Sequence, residues 1–162
     1  MNILYVEDDA RDADLARREL SKSAPHFHLD AVTTLSDALA RLQQPGTPPY
    51  DVVLTDLRLP DGDGLALLRY IREQGLPLAV VIITGQGDEE TAVAMMKAGA
   101  DDYIVKHGAY LARLPVTLED AYHRFRAEMS RRSRPLRVLY AEHNAHDIDL
   151  TRRHLERHAP YI

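Results

Sequence analysis

The chain has 162 residues, 45% of them hydrophobic, and a formal net charge of −5 at pH 7, enough for one domain of ordinary size with a packed core and a remainder. It contains no cysteine, which excludes disulfides, thiol catalysis and Cys-ligated zinc. No apolar run is long enough to span a bilayer, and the acidic balance argues against general nucleic-acid binding, so a soluble cytoplasmic protein with neither membrane nor nucleic-acid partners is expected.

Residues 2–6, Asn-Ile-Leu-Tyr-Val, read as a buried strand followed directly by Glu7-Asp8-Asp9. A helix is expected over 10–23, capped by Asp9 or Asp12 and stopped by Pro25. Phe27 to Thr33 suits a second strand. Leu35, Leu39 and Leu42 mark the stripe of a second helix, with Ser36 as an early cap. The Pro- and Gly-rich stretch 44–49 is a loop. Asp51 to Thr55 is an apolar, β-branched burst that stops at Asp56. A turn follows over 59–64, then a helix over 65–73. Residues 79–83 are the most apolar run of the chain, a strand that ends at Thr84. A helix over 88–98 is closed by Gly99, and a short strand over 102–105 ends at Lys106. A long helix is expected from Pro115, a favourable first helical position, to about Arg132. The arginines at 124, 126, 131, 132, 134 and 137 read as a solvated helix end and its continuation.

Five strands alternating with helices imply a doubly wound α/β domain with a parallel sheet, over residues 1–133. In such a sheet every carboxyl end lies on one edge, where ligands bind. That edge gathers Glu7, Asp8, Asp9, Asp56, Thr84 and Lys106. Asp56 taken alone reads first as a helix cap or the start of a turn, and second as a reactive or metal-binding carboxylate. Several carboxylates in one crevice repel unless a cation intervenes, and a hard ion such as Mg2+ prefers oxygen donors. A hydroxyl and an ammonium can hold phosphoryl oxygens, and a carboxylate can act as the nucleophile.

Residues 1 to about 130 resemble the receiver domain of two-component response regulators. The resemblance is carried by LYVEDD at 4–9, DLRLPDGDG at 56–64, Thr84, and AGADDYIVK at 98–106. It implies a flavodoxin-like sheet of order 2-1-3-4-5. It implies that Asp56 accepts a phosphoryl group from a histidine kinase or phosphotransfer protein, so the chain is a switch and not an enzyme. Asp8, Asp56 and the backbone carbonyl of Arg58 would ligate Mg2+, with Glu7 holding the ion through water. Lys106 and Thr84 would hold the phosphoryl oxygens, and Tyr103 matches the family's switch aromatic. Partners implied are that kinase, a covalently linked output domain and a second copy of the chain. The family usually carries proline after its lysine, with a cis bond. Here His107-Gly108 follows, so either a trans bond with a shifted loop or a strained exception is expected. His107 itself reads as a solvent-facing loop residue. A non-phosphorylated binding module and a phosphatase-type enzyme are the alternatives. The second needs an acid two residues after the nucleophile, where this chain has Arg58.

LYVEDDARDADLARRELSKSAP at 4–25 matches LYAEHNAHDIDLTRRHLERHAP at 139–160 without a gap, at about twelve of the positions. Residues 134–162 are therefore expected to be the start of a second receiver, strand then helix, within a tandem-receiver protein or hybrid kinase. Glu142 is retained, but His143 and Asn144 stand where Asp8 and Asp9 stand, which makes the second copy degenerate. Its apolar residues Val138, Leu139, Leu150 and Leu155 are expected to seek cover on another chain or on the first domain.

Overall fold

The computed structural model describes residues 1–44, 50–85, 89–132 and 144–158. Two compact units divide the chain, Met1–Ala127 and Glu128–Ile162.

The first unit winds as expected. Strands β1 (Asn2–Val6), β2 (His28–Val32), β3 (Val52–Asp56), β6 (Ala79–Thr84) and β7 (Asp102–Val105) form one parallel sheet. Its order is β2-β1-β3-β6-β7. Helices α1 (Ala10–Ser23), α2 (Leu35–Gln43), α3 (Gly64–Glu73) and α4 (Glu89–Lys97) connect them, and α5 (Tyr110–Arg132) follows β7. Two further strands, β4 (Arg58–Leu59) and β5 (Gly62–Asp63), pair antiparallel in the segment after Asp56. The sequence reading made this segment a plain turn. Pro60 sits in the two-residue bend, where its missing amide costs no ladder bond.

Alternation along the strands makes two cores. Ile3, Tyr5, Val52, Leu54, Val81 and Ile83 pack with Ala16 and Leu20 of α1 and Leu114, Leu118 and Ala121 of α5. Leu4, Val6, Val53, Val80 and Ile82 pack with Ala38 of α2, Leu67, Leu68 and Ile71 of α3, and Met95 of α4. Burial on both faces is why these strands read as unbroken apolar runs.

Two local expectations are corrected. The cap of α2 is Thr34, whose hydroxyl accepts from the Asp37 amide at 3.0 Å. Ser36 is instead held by Asp61, which accepts from the Leu35 and Ser36 amides and the Ser36 hydroxyl. Helix α5 starts at Tyr110, and Pro115 lies inside it. The apolar stripe decides this. Leu114 is fully buried, with Tyr110 and Leu111 packed against the same core. A proline inside a helix costs about 3 kcal/mol, and burial of Leu114 at about 2 kcal/mol offsets it only together with the packing of Tyr110 and Leu111. One arginine of the basic run is also more than solvated: Arg124 Nη2 bonds Asp102 Oδ2 at 2.6 Å and the Asp101 carbonyl at 3.0 Å.

In the second unit, α6 (Ala145–His158) occupies the span expected of a helix. The expected strand before it lies outside the described residues. Helix α6 repeats α1 in detail. Both have 14 residues, and each end falls 135 positions after its counterpart, 10 to 145 and 23 to 158. Asp14 pairs with Arg17 and Arg18, and Asp149 pairs with Arg152 and Arg153. The first turns match too: Ala13 donates to the Asp9 carbonyl at 3.0 Å, and Ile148 to that of Asn144 at 3.1 Å. Leu150 is exposed, whereas Val138, Leu139 and the Leu155 side chain lie outside the described residues. Among the described residues no helix is long and apolar enough to cross a membrane.

Next to the loop between α2 and β3, the Tyr50 hydroxyl donates to Asp30, which also accepts from Arg41. Burial first, and then this bond, push Tyr50 up from 10.0 to about 12. The folded state therefore holds the phenol proton more tightly than the unfolded chain. This contribution to stability is full below pH 10 and disappears as pH rises towards 12. Urea unfolding across that window is expected to show a smaller pH-dependent loss for Tyr50→Phe than for the parent.

Candidate functional site

The sheet register brings the site residues to one level. Val6 is paired with Thr55, Asp56 with Ile83, and Thr84 with Val105. Glu7, Asp56, Thr84 and Lys106 thus emerge together at the carboxyl edge. Local hydrogen bonds hold the strand ends there. Leu57 donates to the Ile83 carbonyl at 2.8 Å, and Lys106 to the Thr84 carbonyl at 2.8 Å.

The centre of the site is the Lys106 ammonium. Its Nζ lies 2.7 Å from Glu7 Oε2, 2.8 Å from Asp12 Oδ2 and 2.6 Å from Asp56 Oδ2. The lysine reaches Asp56 although the peptide after it is trans; the described residues contain no cis peptide bond. The loop departs from regular structure just beyond, where His107 donates to the Val105 carbonyl at 2.7 Å and Gly108 takes φ +58°. His107 is exposed, as expected.

Glu7 is only 2% exposed. The Tyr5 hydroxyl donates to its Oε2 at 2.9 Å, and the Asp9 amide to its Oε1 at 3.2 Å. Burial pushes the Glu7 carboxyl up, while the bonds from Lys106 and Tyr5 oppose that shift. Burial alone would pull Lys106 down, but its bonds to Asp12, Asp56 and Glu7 outweigh it and hold the ammonium well above its ordinary range. Tyr5 is raised by burial and by the neighbouring Glu7, so it remains a neutral donor.

Asp56 is fixed from its other side. Its Oδ1 accepts from the Arg58 amide at 2.9 Å. Its own carbonyl lies against the start of α3, where a Cβ on Gly64 would come within 2.5 Å of that oxygen. Asp63 caps α3 through the Ala66 amide at 2.6 Å. Asp61, from the same hairpin, binds the first turn of α2. The phosphoacceptor candidate therefore sits between a tied hairpin and a helix start with no room for a side chain.

The remaining expected residues fall as follows. Asp8 is exposed beside Glu7, outside the lysine cluster. Asp9 is the cap of α1, accepting from the Arg11 amide at 2.7 Å and the Asp12 amide at 3.4 Å. Those bonds hold its carboxyl below the usual range. Thr84 is buried, at 4% exposure. Tyr103 lies on β7, 37% exposed, in a groove of about 470 Å³ with Ala92, Val93, Met96 and Lys97.

Sequence reasoning missed Tyr5 and Asp12. The period of two along a strand places Tyr5 on the same face as Glu7, so that signal was present. Asp12 read only as a cap. Its recurrence as Asp147 in the repeat was the available signal.

Glu7, Asp8, Asp56 and nearby carbonyls make an all-oxygen donor set, which suits a hard divalent cation. Among the described residues no three acidic or histidine side chains stand as a ready-made metal cage. The Lys106 ammonium is the cation that meets Glu7 and Asp56 in this arrangement.

Two measurements check this geometry. Gly64→Ala is expected to lower the unfolding free energy by about 1–3 kcal/mol, because the added methyl meets backbone that cannot yield cheaply. Lys106→Met leaves partly buried carboxylates without their cation. Because Lys106 is raised above its ordinary 10.5, its contribution is full at pH 7 and lost only at more alkaline pH. Urea unfolding at pH 7 is expected to show a loss of about 2 kcal/mol, shrinking at acid pH as Glu7, raised by burial, protonates.

Known proteins resemble this chain in sequence and in fold. The family described as the response regulator receiver domain matches residues 3–113. The methanogenesis regulatory protein FilR1 of Methanothrix harundinacea is 38% identical over 135 residues, 82% of this chain and 29% of that protein. The transcriptional regulatory protein BasR of Escherichia coli K12 is 36% identical over 131 residues, 81% of this chain and 53% of that protein. The chain thus spans about half, or less, of the length of these relatives. Among solved structures, the beryllofluoride-activated NtrC4 receiver domain dimer superimposes with a TM-score of 0.67 at 27% identity, covering 76% of this chain and 98% of that one. With its parallel sheet, its acidic strand ends and its lysine, the chain belongs to the response regulator receiver domain family.

Proposed function

We propose that the first unit is a phosphoacceptor switch in which Asp56 takes a phosphoryl group from the phosphohistidine of a histidine kinase or phosphotransfer protein. The observation that carries this reading is the contact of Lys106 Nζ with Asp56 Oδ2 at 2.6 Å, beside the buried Glu7. The Asp56 oxygen forms the new P–O bond as the donor's P–N bond breaks, and the imidazole nitrogen leaves with the electron pair. Lys106 then turns an N–H from Asp56 to a phosphoryl oxygen. The Thr84 hydroxyl binds another, and the exposed ring of Tyr103 follows that change. Asp8, Asp56, Glu7 and the Arg58 carbonyl would hold Mg2+ through their oxygens. When bound, Mg2+ neutralises charge on the transferring phosphoryl group. The chain is then modified by its kinase and does not turn over a substrate of its own.

The second unit is proposed to be the start of a second receiver-type repeat in a tandem protein. The α1-like bounds, first turn and ion pairs of α6 support this reading. Replacement of Asp8 by His143 removes an oxygen ligand that Mg2+ favours, which favours a binding role for the repeat over phosphorylation. A covalently linked output domain and a second copy of the chain are the further partners, in a cytoplasmic setting.

Intact mass after incubation with acetyl phosphate and Mg2+ tests the main reading. A gain of one phosphoryl group is expected in the parent and not in Asp56→Asn. No gain, or an equal gain in both, sends the reading back to a binding module.

A further inference from the structure

We propose that Asp12 is a positioning residue for Lys106, an inference that rests on the phosphoacceptor reading. A lysine ammonium has three N–H donors. In this crevice all three are taken, by Glu7 at 2.7 Å, Asp12 at 2.8 Å and Asp56 at 2.6 Å. The three acceptors come from three elements: the end of β1, the first turn of α1 and the end of β3.

Lys106 needs such anchors. It stands one residue beyond β7, an edge strand with a ladder partner on one side only. Its backbone is held by the Thr84 carbonyl, and the chain then turns away through His107 and Gly108. The Lys106 side chain is consequently aimed by what it touches. Glu7 and Asp56 are each fixed by other donors, Tyr5 and the amides of Asp9 and Arg58. Asp12 reaches the lysine from a different direction, off a helix.

The simplest competing account makes Asp12 a helix-start acid that favours the macrodipole. Capping, however, is performed by Asp9, which accepts from both the Arg11 and Asp12 amides. The Asp12 carboxylate is left to Lys106. The repeat points the same way. Glu7 and Asp12 recur as Glu142 and Asp147, while Asp8 is replaced by His143. The two acids of this stretch that touch the lysine are retained where Asp8, which does not touch it, is replaced.

The consequence is a division of labour. Glu7 and Asp12 keep two N–H groups of Lys106 anchored, and the third passes from Asp56 to the incoming phosphoryl oxygen. Without Asp12 the ammonium gains a hydrogen bond to water and loses its aim.

Two readouts on the full chain test this. The first is the Lys106 ammonium signal in proton–nitrogen NMR of lysine-labelled protein without phosphodonor. Three bonds to carboxylates protect it from exchange, so a resolved signal is expected in the parent. It should broaden or vanish in Asp12→Ala and persist in Asp12→Glu. The second is the rate of phosphoryl gain from acetyl phosphate and Mg2+. Asp12→Ala is expected to slow it about fivefold, the scale of one partly exposed charged bond, and Asp12→Glu to restore most of the rate. Asp12→Asn, matched in shape, should shift both readouts in the same direction as Asp12→Ala. An unchanged signal and an unchanged rate in Asp12→Ala and Asp12→Asn overturn the proposal. A parent that gains no phosphoryl group overturns the phosphoacceptor reading instead, and the ammonium signal still decides the place of Asp12.

Discussion

Carboxylates brought into one partly buried crevice have to be compensated. At about 4 Å and an effective dielectric of about 20, two of them repel by about 4 kcal/mol. The parallel sheet makes this conflict unavoidable, because it delivers Glu7 and Asp56 to the same edge on neighbouring strands. Lys106 resolves it from the end of β7, across the intervening β6. The rest of the site follows from that compensation. The buried Glu7 is tolerated because an ammonium and a phenol donate to it. Such a crevice suits cations, since its carboxylates already accept one.

The surroundings of Asp56 complete the arrangement. Its side chain is held by the Arg58 amide, and its carbonyl is closed off by Gly64 at the start of α3. Asp61 carries the intervening hairpin onto α2. Three short-range devices thus fix one carboxylate, and each comes from the segment 58–64 that immediately follows it. The opposite wall is made from distant parts of the chain, Glu7, Asp12, Thr84 and Lys106. One half of the site is local and the other half is assembled by the sheet.

That difference explains what was legible in the sequence. The parallel strands and the gathering of Glu7, Asp56, Thr84 and Lys106 could be read, because apolar runs ending in polar residues locate a carboxyl edge, whereas the strand order came from the family resemblance. The local hairpin was missed because a pairing of two residues on each side leaves no periodic signature. Asp12 was missed because its partner is supplied by the tertiary fold, and its position in a first helical turn already has an adequate explanation. Helix α5 was placed too late because Pro115 has a strong local meaning that the packing of Tyr110, Leu111 and Leu114 overrides. The repeat, by contrast, was plain as a string of residues, and α6 carries the same ion pairs as α1 because those lie within one helix.

The bonds of Lys106 also bear on how the domain folds. They join residues 99, 94 and 50 positions apart in the chain. Each closes a long loop of chain, whose entropy has to be met before the bond can form. The helices and the inner strands can associate without them. If these bonds form after the folding barrier, their loss speeds unfolding and leaves the rate of folding nearly unchanged. The same charges that meet in the crevice also tie the two ends of the domain together.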